Sequence, residues 1–212
     1  TQASLLETST YNNHVYLADD QSNQIRVYSL ASESFITPIT LSQNPTAIHV
    51  DAAGIYVSYG TQIVKLALDG TNQTAVRTTS KVITDIEATD KLLFLAGKDY
   101  LQVANKTNNT LIDTRSEYAF GRSISLANNG TELYTTNTDY SPADVYQISI
   151  NADGTIKTFR DTPYHGKDAG VDQPKKVPNS NRVIDTSGNI YNTGNLNYVT
   201  NLGGAYTALD FW

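Results

Sequence analysis

The chain has no cysteine and no methionine, and only 17% of its 212 residues are charged. Without cysteine there is no disulfide scaffold, no thiolate metal site and no cysteine nucleophile. No stretch approaches the roughly 18 consecutive apolar residues of a membrane helix, and no basic-then-apolar opening resembles a signal peptide. Membrane insertion is not expected. Basic residues are scarce as well: 15 Lys and Arg stand against 21 Asp and Glu, a formal net charge of -6. That balance repels phosphate backbones, and the basic residues gather only at Lys175 and Lys176, so nucleic acid is not an expected partner.

What the chain does have is Asn, Thr, Ser and 14 tyrosines, a surface composition associated with exported bacterial proteins. The expected location is extracellular or periplasmic, with attachment to a cell surface as one form of it. A chain that opens at Thr1 and lacks methionine is expected to be trimmed, cleaved from a leader or excised from a longer protein. Asn72, Asn105, Asn108 and Asn129 match the glycosylation acceptor pattern, which an Asn- and Thr-rich sequence also generates by chance.

The dominant pattern is internal repetition. Short apolar cores occur in "HVYLA" (14–18), "GIYVSY" (54–59), "KLLFLAG" (91–97) and "TELYTTN" (131–137), spaced by about 40 residues, and a late fifth is "GNIYNTG" (188–194). An alternating run precedes each core across a turn of Asn, Asp, Gly or Ser, residues that tolerate positive φ. Two further runs follow, as in "QIRVYSL" and "SFITPITL" after the first core. Period-two alternation places one face of each run against a neighbouring sheet.

The unit is therefore a four-stranded antiparallel meander. One such sheet cannot bury both faces without neighbours, which is the condition a β-propeller blade meets. The expected fold is all-β, a single propeller domain over 1–212. Its blades are expected near 1–42, 43–80, 81–117, 118–161 and 180–212, with an insertion at 162–179. Five blades are favoured, with "RVIDTSG", "NIYNTG", "LNYVTNL" and "AYTALDFW" as the strands of the last. The alternative takes "AYTALDFW" as the inner strand of a further unit, in a fragment of a six- to eight-bladed ring.

The stretch "GRSISLANNGTELYTTNTDYSPADVYQISINADGTIKTF" resembles the blades of gluconolactonase, surface-layer and NHL-type propellers, and "HVYLADDQSNQIRVYSL" has the same cadence. The resemblance extends over about 160 residues and concerns architecture, because this rhythm is shared by families of unrelated activity. It implies a divalent cation held by a Glu, Asn side chains and an Asp in a central channel, with Glu7 answering to the Glu. Elsewhere the chain departs from that pattern. Gly121, Arg122 and Ser123 stand where an Asn is expected, and Asn181 and Arg182 fall at a later ligand position. Arginine neither coordinates metal nor gives up its charge.

Other candidate residues come from composition and position. Asp19, Asp20 and Asn23 in "ADDQSN" offer the oxygen ligands calcium takes, and with Glu7 they form the expected metal set. The run lacks the glycine and distal Glu of an EF-hand loop and reads first as a solvated hairpin turn. "ALDGT" and "NADGT" are read as turns, since Asp-Gly is a favoured hairpin pair. His14, His49 and His165 lie far apart in the repeat, and no GxSxG elbow is present.

The longest departure from the repeat, "DTPYHGKDAGVDQPKKVPNSN" (161–181), and the loop "NTDYSPAD" (137–144) are where binding residues are expected, because loops on a rigid scaffold carry them. The candidates are Tyr140, Tyr164, His165, Asp168 and Asp172, with the two loops expected at one end of the blades. Tyr16, Tyr28, Tyr56 and Tyr146 sit within strands and are expected to pack. The expected function is a non-catalytic binding module for a glycan or protein partner, with calcium as the cofactor to test. Its rivals are a metal-dependent lactonase-like hydrolase using Glu7, Asp85 and Asn181, and a structural repeat domain of a larger surface protein.

Overall fold

The computed structural model describes residues 5–19, 21–127, 130–141, 143–163 and 173–206. They form twenty strands in five four-stranded antiparallel sheets. The first sheet is β1 (Leu5–Tyr11), β2 (His14–Asp19), β3 (Gln24–Ser29) and β4 (Ser34–Thr40), in that order. The second is β5 (Ala47–Asp51), β6 (Gly54–Tyr59), β7 (Gln62–Leu66) and β8 (Thr74–Thr78). The third is β9 (Asp85–Ala88), β10 (Leu92–Gly97), β11 (Tyr100–Asn105) and β12 (Leu111–Arg115). The fourth is β13 (Ile124–Leu126), β14 (Glu132–Thr136), β15 (Val145–Ile150) and β16 (Ile156–Asp161). Each of these is a simple meander and matches the four runs expected of its blade.

The fifth sheet differs. It consists of β17 (Lys175–Lys176), β18 (Arg182–Ile184), β19 (Asn189–Asn192) and β20 (Tyr198–Asn201). Three strands coincide with "RVIDTSG", "NIYNTG" and "LNYVTNL", but the remaining one precedes them, inside the stretch expected to be an insertion. Of "AYTALDFW", Ala205 and Tyr206 lie outside any strand and the rest lies outside the described residues. Two lysines have no apolar alternation to announce a strand. β17 exists because backbone pairing with β18 supplies the hydrogen bonds and the Lys176 amide also donates to Ser125 Oγ at 2.9 Å.

The chain divides into two compact units, with the boundary between Ile86 and Glu87. In the first, the facing sides of the first two sheets interdigitate Tyr16, Ile25, Val27, Ile39, Ile48, Ile55, Val57, Val64 and Leu66. Strand β6 is buried at every position while β4 is almost entirely exposed. A second strand has sheet neighbours on both faces, whereas a fourth strand lies at the edge, where Pro38 costs no ladder hydrogen bond. In the second unit, Phe94, Leu101, Val103, Phe120, Leu133, Tyr146 and Ile148 fill one inter-sheet layer. Tyr134, Val145, Val183, Tyr191 and Leu196 fill another. The strand tyrosines pack as expected: Tyr16, Tyr56 and Tyr146 are buried, and the Tyr28 ring meets Phe35 edge-on at 5.2 Å.

The Asp-Gly turns have two functions. Asp69 and Asp153 each accept from the amide and hydroxyl of a threonine two residues on, at 2.9 and 2.6 Å. The threonine hydroxyl bond is the main reason each carboxyl is held below its usual pKa. The glycine that follows has positive φ and also presses on a preceding sheet: a Cβ on Gly154 would lie 2.8 Å from Leu92 Cδ2 and 3.1 Å from Ile112 Cδ1. Gly203 has the same φ, +91° against +89°, with nothing within 4 Å of a Cβ. Gly154→Ala should therefore cost about 1 kcal/mol more than Gly203→Ala in denaturant melts, the shared part being backbone strain and the excess being packing. Equal losses would assign the whole effect to φ.

Candidate functional site

Within the second unit, three connections meet at one end of the third and fourth sheets. The β10–β11 turn contributes Lys98 and Asp99. The β12–β13 connection contributes Tyr118 and Arg122, and the β14–β15 loop contributes Asn137, Asp139 and Tyr140. Asp99 is the tie between them. Its φ of 52° is tolerated by an aspartate in a tight turn, and its amide donates to the Phe120 carbonyl at 2.9 Å. Phe120 is itself buried in the core, so the turn is anchored.

The Asp99 carboxylate is shared by the third loop: Asn137 Nδ2 donates to Oδ1 at 3.1 Å, and the Tyr140 hydroxyl donates to Oδ2 at 3.3 Å. Asn137 is 3% exposed, and its Nδ2 also donates to the Tyr118 carbonyl while its Oδ1 accepts from the Asp139 amide at 3.0 Å. One buried amide therefore fixes all three connections, the complete satisfaction that a buried polar group requires. Asp139 takes Arg122 Nη2 at 3.2 Å and Lys98 Nζ at 3.4 Å. These ion pairs are exposed and stabilise little, but they keep two cations and a carboxylate side by side.

Above this base stand two rings. Tyr118 is 54% exposed and Tyr140 48%, with centroids 6.3 Å apart and planes at 77°. Tyr118 also meets Phe159 and Tyr146 edge-on at 5.8 and 6.3 Å. Such edge-to-face geometry holds an aromatic ring in one orientation. Burial, followed by the nearby Asp144, Tyr118 and Asp161, pushes the Tyr146 phenol up to about 12, so it remains a protonated packing residue at neutral pH.

The expected candidates are thus only partly assembled here. Tyr140 belongs to the site, whereas Tyr164, His165, Asp168 and Asp172 lie outside the described residues. The roots of their loop do lie beside the 137–144 loop: Thr162 Oγ1 donates to Asp144 Oδ1 at 3.0 Å, and the Thr162 amide donates to the Val145 carbonyl at 3.1 Å. Tyr118, Asp99, Asn137, Asp139, Arg122 and Lys98 were not anticipated. The only signal was that "NTDYSPAD" departs from the repeat; "SEYAFG" reads as an ordinary connection.

Of the expected metal residues, Glu7, Asp19, Asp20 and Asn23, the side chains of only two are described. Asp19 is buried and its Oδ1 accepts from the Gln21 amide at 2.8 Å, which is turn chemistry. Asn23 is exposed, Asp20 lies outside the described residues, and Glu7 is placed only as a backbone position in β1. Among the described residues no three His, Asp or Glu side chains come together as a metal-holding group. Two clefts lie elsewhere. One of about 530 Å³ in the second unit is lined by Leu92, Ile112, Asn151 and Asp153, at the opposite ends of the strands from the tyrosine pair. The other, about 440 Å³, lies in the first unit beside His14, Ile36 and Leu68.

No protein-family model and no curated protein matches the sequence. By structure, 770 solved chains match, so the fold itself specifies no activity. One is the hydrazine synthase of Kuenenia stuttgartiensis, with a TM-score of 0.70 at 12% identity over 91% of this chain. The chain spans 56% of the length of that neighbour. Likeness at this identity defines the class of fold, a five-bladed β-propeller. The gluconolactonase, surface-layer and NHL-type resemblance narrows no further than that architecture.

Proposed function

We propose that this propeller is a non-catalytic binding module and that the Tyr118–Tyr140 face holds a glycan. The observation that carries the reading is the exposed, perpendicular tyrosine pair set on immobilised polar groups. A sugar presents a C–H face to an aromatic ring, whose quadrupole is negative on that face. Its vicinal hydroxyls take planar partners such as carboxylate, amide and guanidinium, and here Asp99, Asp139 and Arg122 border the rings. The groups are ordered before any ligand arrives, which lowers the entropic cost of association. Location outside the cytoplasm, and a tie to the cell surface, accompany this reading on composition alone.

A glycan array probed with labelled protein, followed by calorimetry on the best ligand, tests it. Tyr140→Ala is expected to weaken binding at least about tenfold, as loss of an aromatic anchor does. Phe35→Ala, on β4 and also exposed, serves as the control. An array without signal, together with capture of a protein that Tyr140→Ala releases, would move the same face to a protein partner. Binding indifferent to Tyr140→Ala would remove this face from the function altogether.

A further inference from the structure

In the first, third and fourth sheets, one backbone bond joins the end of the third strand to the residue that precedes the second. These are Leu30 N to Asn13 O, Lys106 N to Lys91 O and Ile150 N to Thr131 O, each 2.8 Å. The fifth sheet makes the same bond from Leu202 N to Gly188 O, at 2.9 Å. By that register β18, β19 and β20 are the first, second and third strands, and β17 is an extra innermost strand. The outer fourth strand that covers the third in every other sheet has no counterpart among the described residues. Residues 203–206, the last described after β20, do not supply it either: they run toward the β18–β19 turn, where the Tyr206 amide donates to the Thr186 carbonyl at 2.7 Å.

The edge so left is unlike the outer strands of the other sheets. Those carry Pro38, Arg77, Asp113 with Arg115, or Lys157 with Arg160, the charges and prolines that keep edge strands from pairing. β20 has neither, and residues 186–209 are the longest stretch of the chain without a charged side chain. Tyr198, Val199 and Leu202 are exposed there at 37%, 39% and 48%. Two copies of a chain with net charge -6 repel over most surfaces, but not across this strip.

We infer that β20 is a self-association edge, which pairs antiparallel with β20 of a second copy and so supplies the missing outer strand to both. Symmetry places Val199 opposite Thr200 of the second copy and Tyr198 opposite Asn201 of the second copy, an isologous contact. Four residues a side fall below a standard interface, so the dimer is weak, with a dissociation constant on the order of 100 µM.

Sedimentation velocity of the full chain from about 1 µM to about 1 mM spans that range. The expected result is a monomer–dimer equilibrium that Val199→Lys weakens at least about tenfold and that mixing Val199→Lys with Thr200→Glu restores, since the new charges then face each other. Both positions are exposed, so the far-ultraviolet circular dichroism should not change. A monomer throughout, or a dimer indifferent to Val199→Lys, would overturn the inference. So would slow hydrogen exchange of the β20 amides in the monomer, which would show the edge covered by the chain itself.

Discussion

Gly121→Ala should lower stability by about 3 kcal/mol, at the upper end of what overpacking costs, and should disable the tyrosine face with it. A Cβ at this position would sit 1.7 Å from the Thr136 carbonyl oxygen and 2.6 Å from Thr135 Oγ1. The obstacle is backbone, which cannot rotate away as a side chain would. The Gly121 amide donates to Thr135 Oγ1 at 3.1 Å, and that hydroxyl donates to the Ser123 carbonyl at 2.6 Å. A displaced loop therefore loses a closed pair of hydrogen bonds as well as contact distance. Tyr118 and Arg122 lie on this loop, and Asn137 follows directly after the strand it abuts. For a chain of this size the loss corresponds to a fall in melting temperature of about 6–12 °C. Gly194→Ala, with nothing within 4 Å of its Cβ, should leave the melt unchanged. Glycan binding should fall in parallel with Gly121→Ala even below the melting temperature. A Gly121→Ala protein with wild-type stability would show that the close approach is not required.

The second large effect is expected at Asp185, a carboxylate with no solvent exposure in the β18–β19 turn. Its Oδ1 accepts from the Asn189 amide at 3.1 Å. Its Oδ2 accepts from the Tyr191 hydroxyl at 3.1 Å and from Asn189 Nδ2 at 3.4 Å. Asp185→Ala would remove the carboxylate that accepts from the buried Tyr191 hydroxyl and from both Asn189 donors. The expected loss is about 3 kcal/mol, as hydrogen bonds to a charged acceptor contribute about 1.5–3 kcal/mol each. Urea melts of the two proteins at neutral pH measure it directly, and a change under about 1 kcal/mol would mean that water reaches the vacated site.

The same residue predicts a pH dependence. Burial raises the Asp185 pKa above the ordinary 3.8, and the hydrogen bonds from Asn189, Tyr191 and Ser187 only partly oppose that. A carboxyl whose folded pKa lies above its unfolded one takes up its proton first in the folded state. Its contribution is therefore full below 3.8 and is lost as pH rises through the raised folded value. Relative to Asp185→Asn, which has no such titration, the wild type should gain stability as pH is lowered from neutral towards 3.8. Parallel stability curves for the two proteins would show that the folded and unfolded pKa values coincide.

How much of this was legible beforehand depended on whether the cause was local. Strand alternation and the Asn, Asp and Gly turns are written residue by residue, so the first sixteen strands and their meander order follow from period and spacing alone. The fifth sheet was misread at its edges for the same reason. β17 is two lysines held by main-chain pairing, which leaves no trace in side-chain periodicity. "AYTALDFW" alternates like a strand, yet Ala205 and Tyr206 are drawn to the β18–β19 turn by a bond to Thr186.

The candidate site divides along the same line. Tyr140 could be chosen from sequence because its loop breaks the repeat. Asp99 could not, because "GKDY" reads as a two-residue hairpin turn, nor could Tyr118, in a connection whose neighbours Ala119 and Phe120 are core. By itself the sequence determined an all-β repeat of antiparallel meanders, a formal net charge of -6 and the lack of any thiol among its 212 residues. Only the tertiary structure decided which of many polar and aromatic residues meet. Asp99, Tyr118 and Asn137 are joined by packing between two sheets, and contacts across such a distance in the chain are set by how strands stack, not by any pattern within a strand.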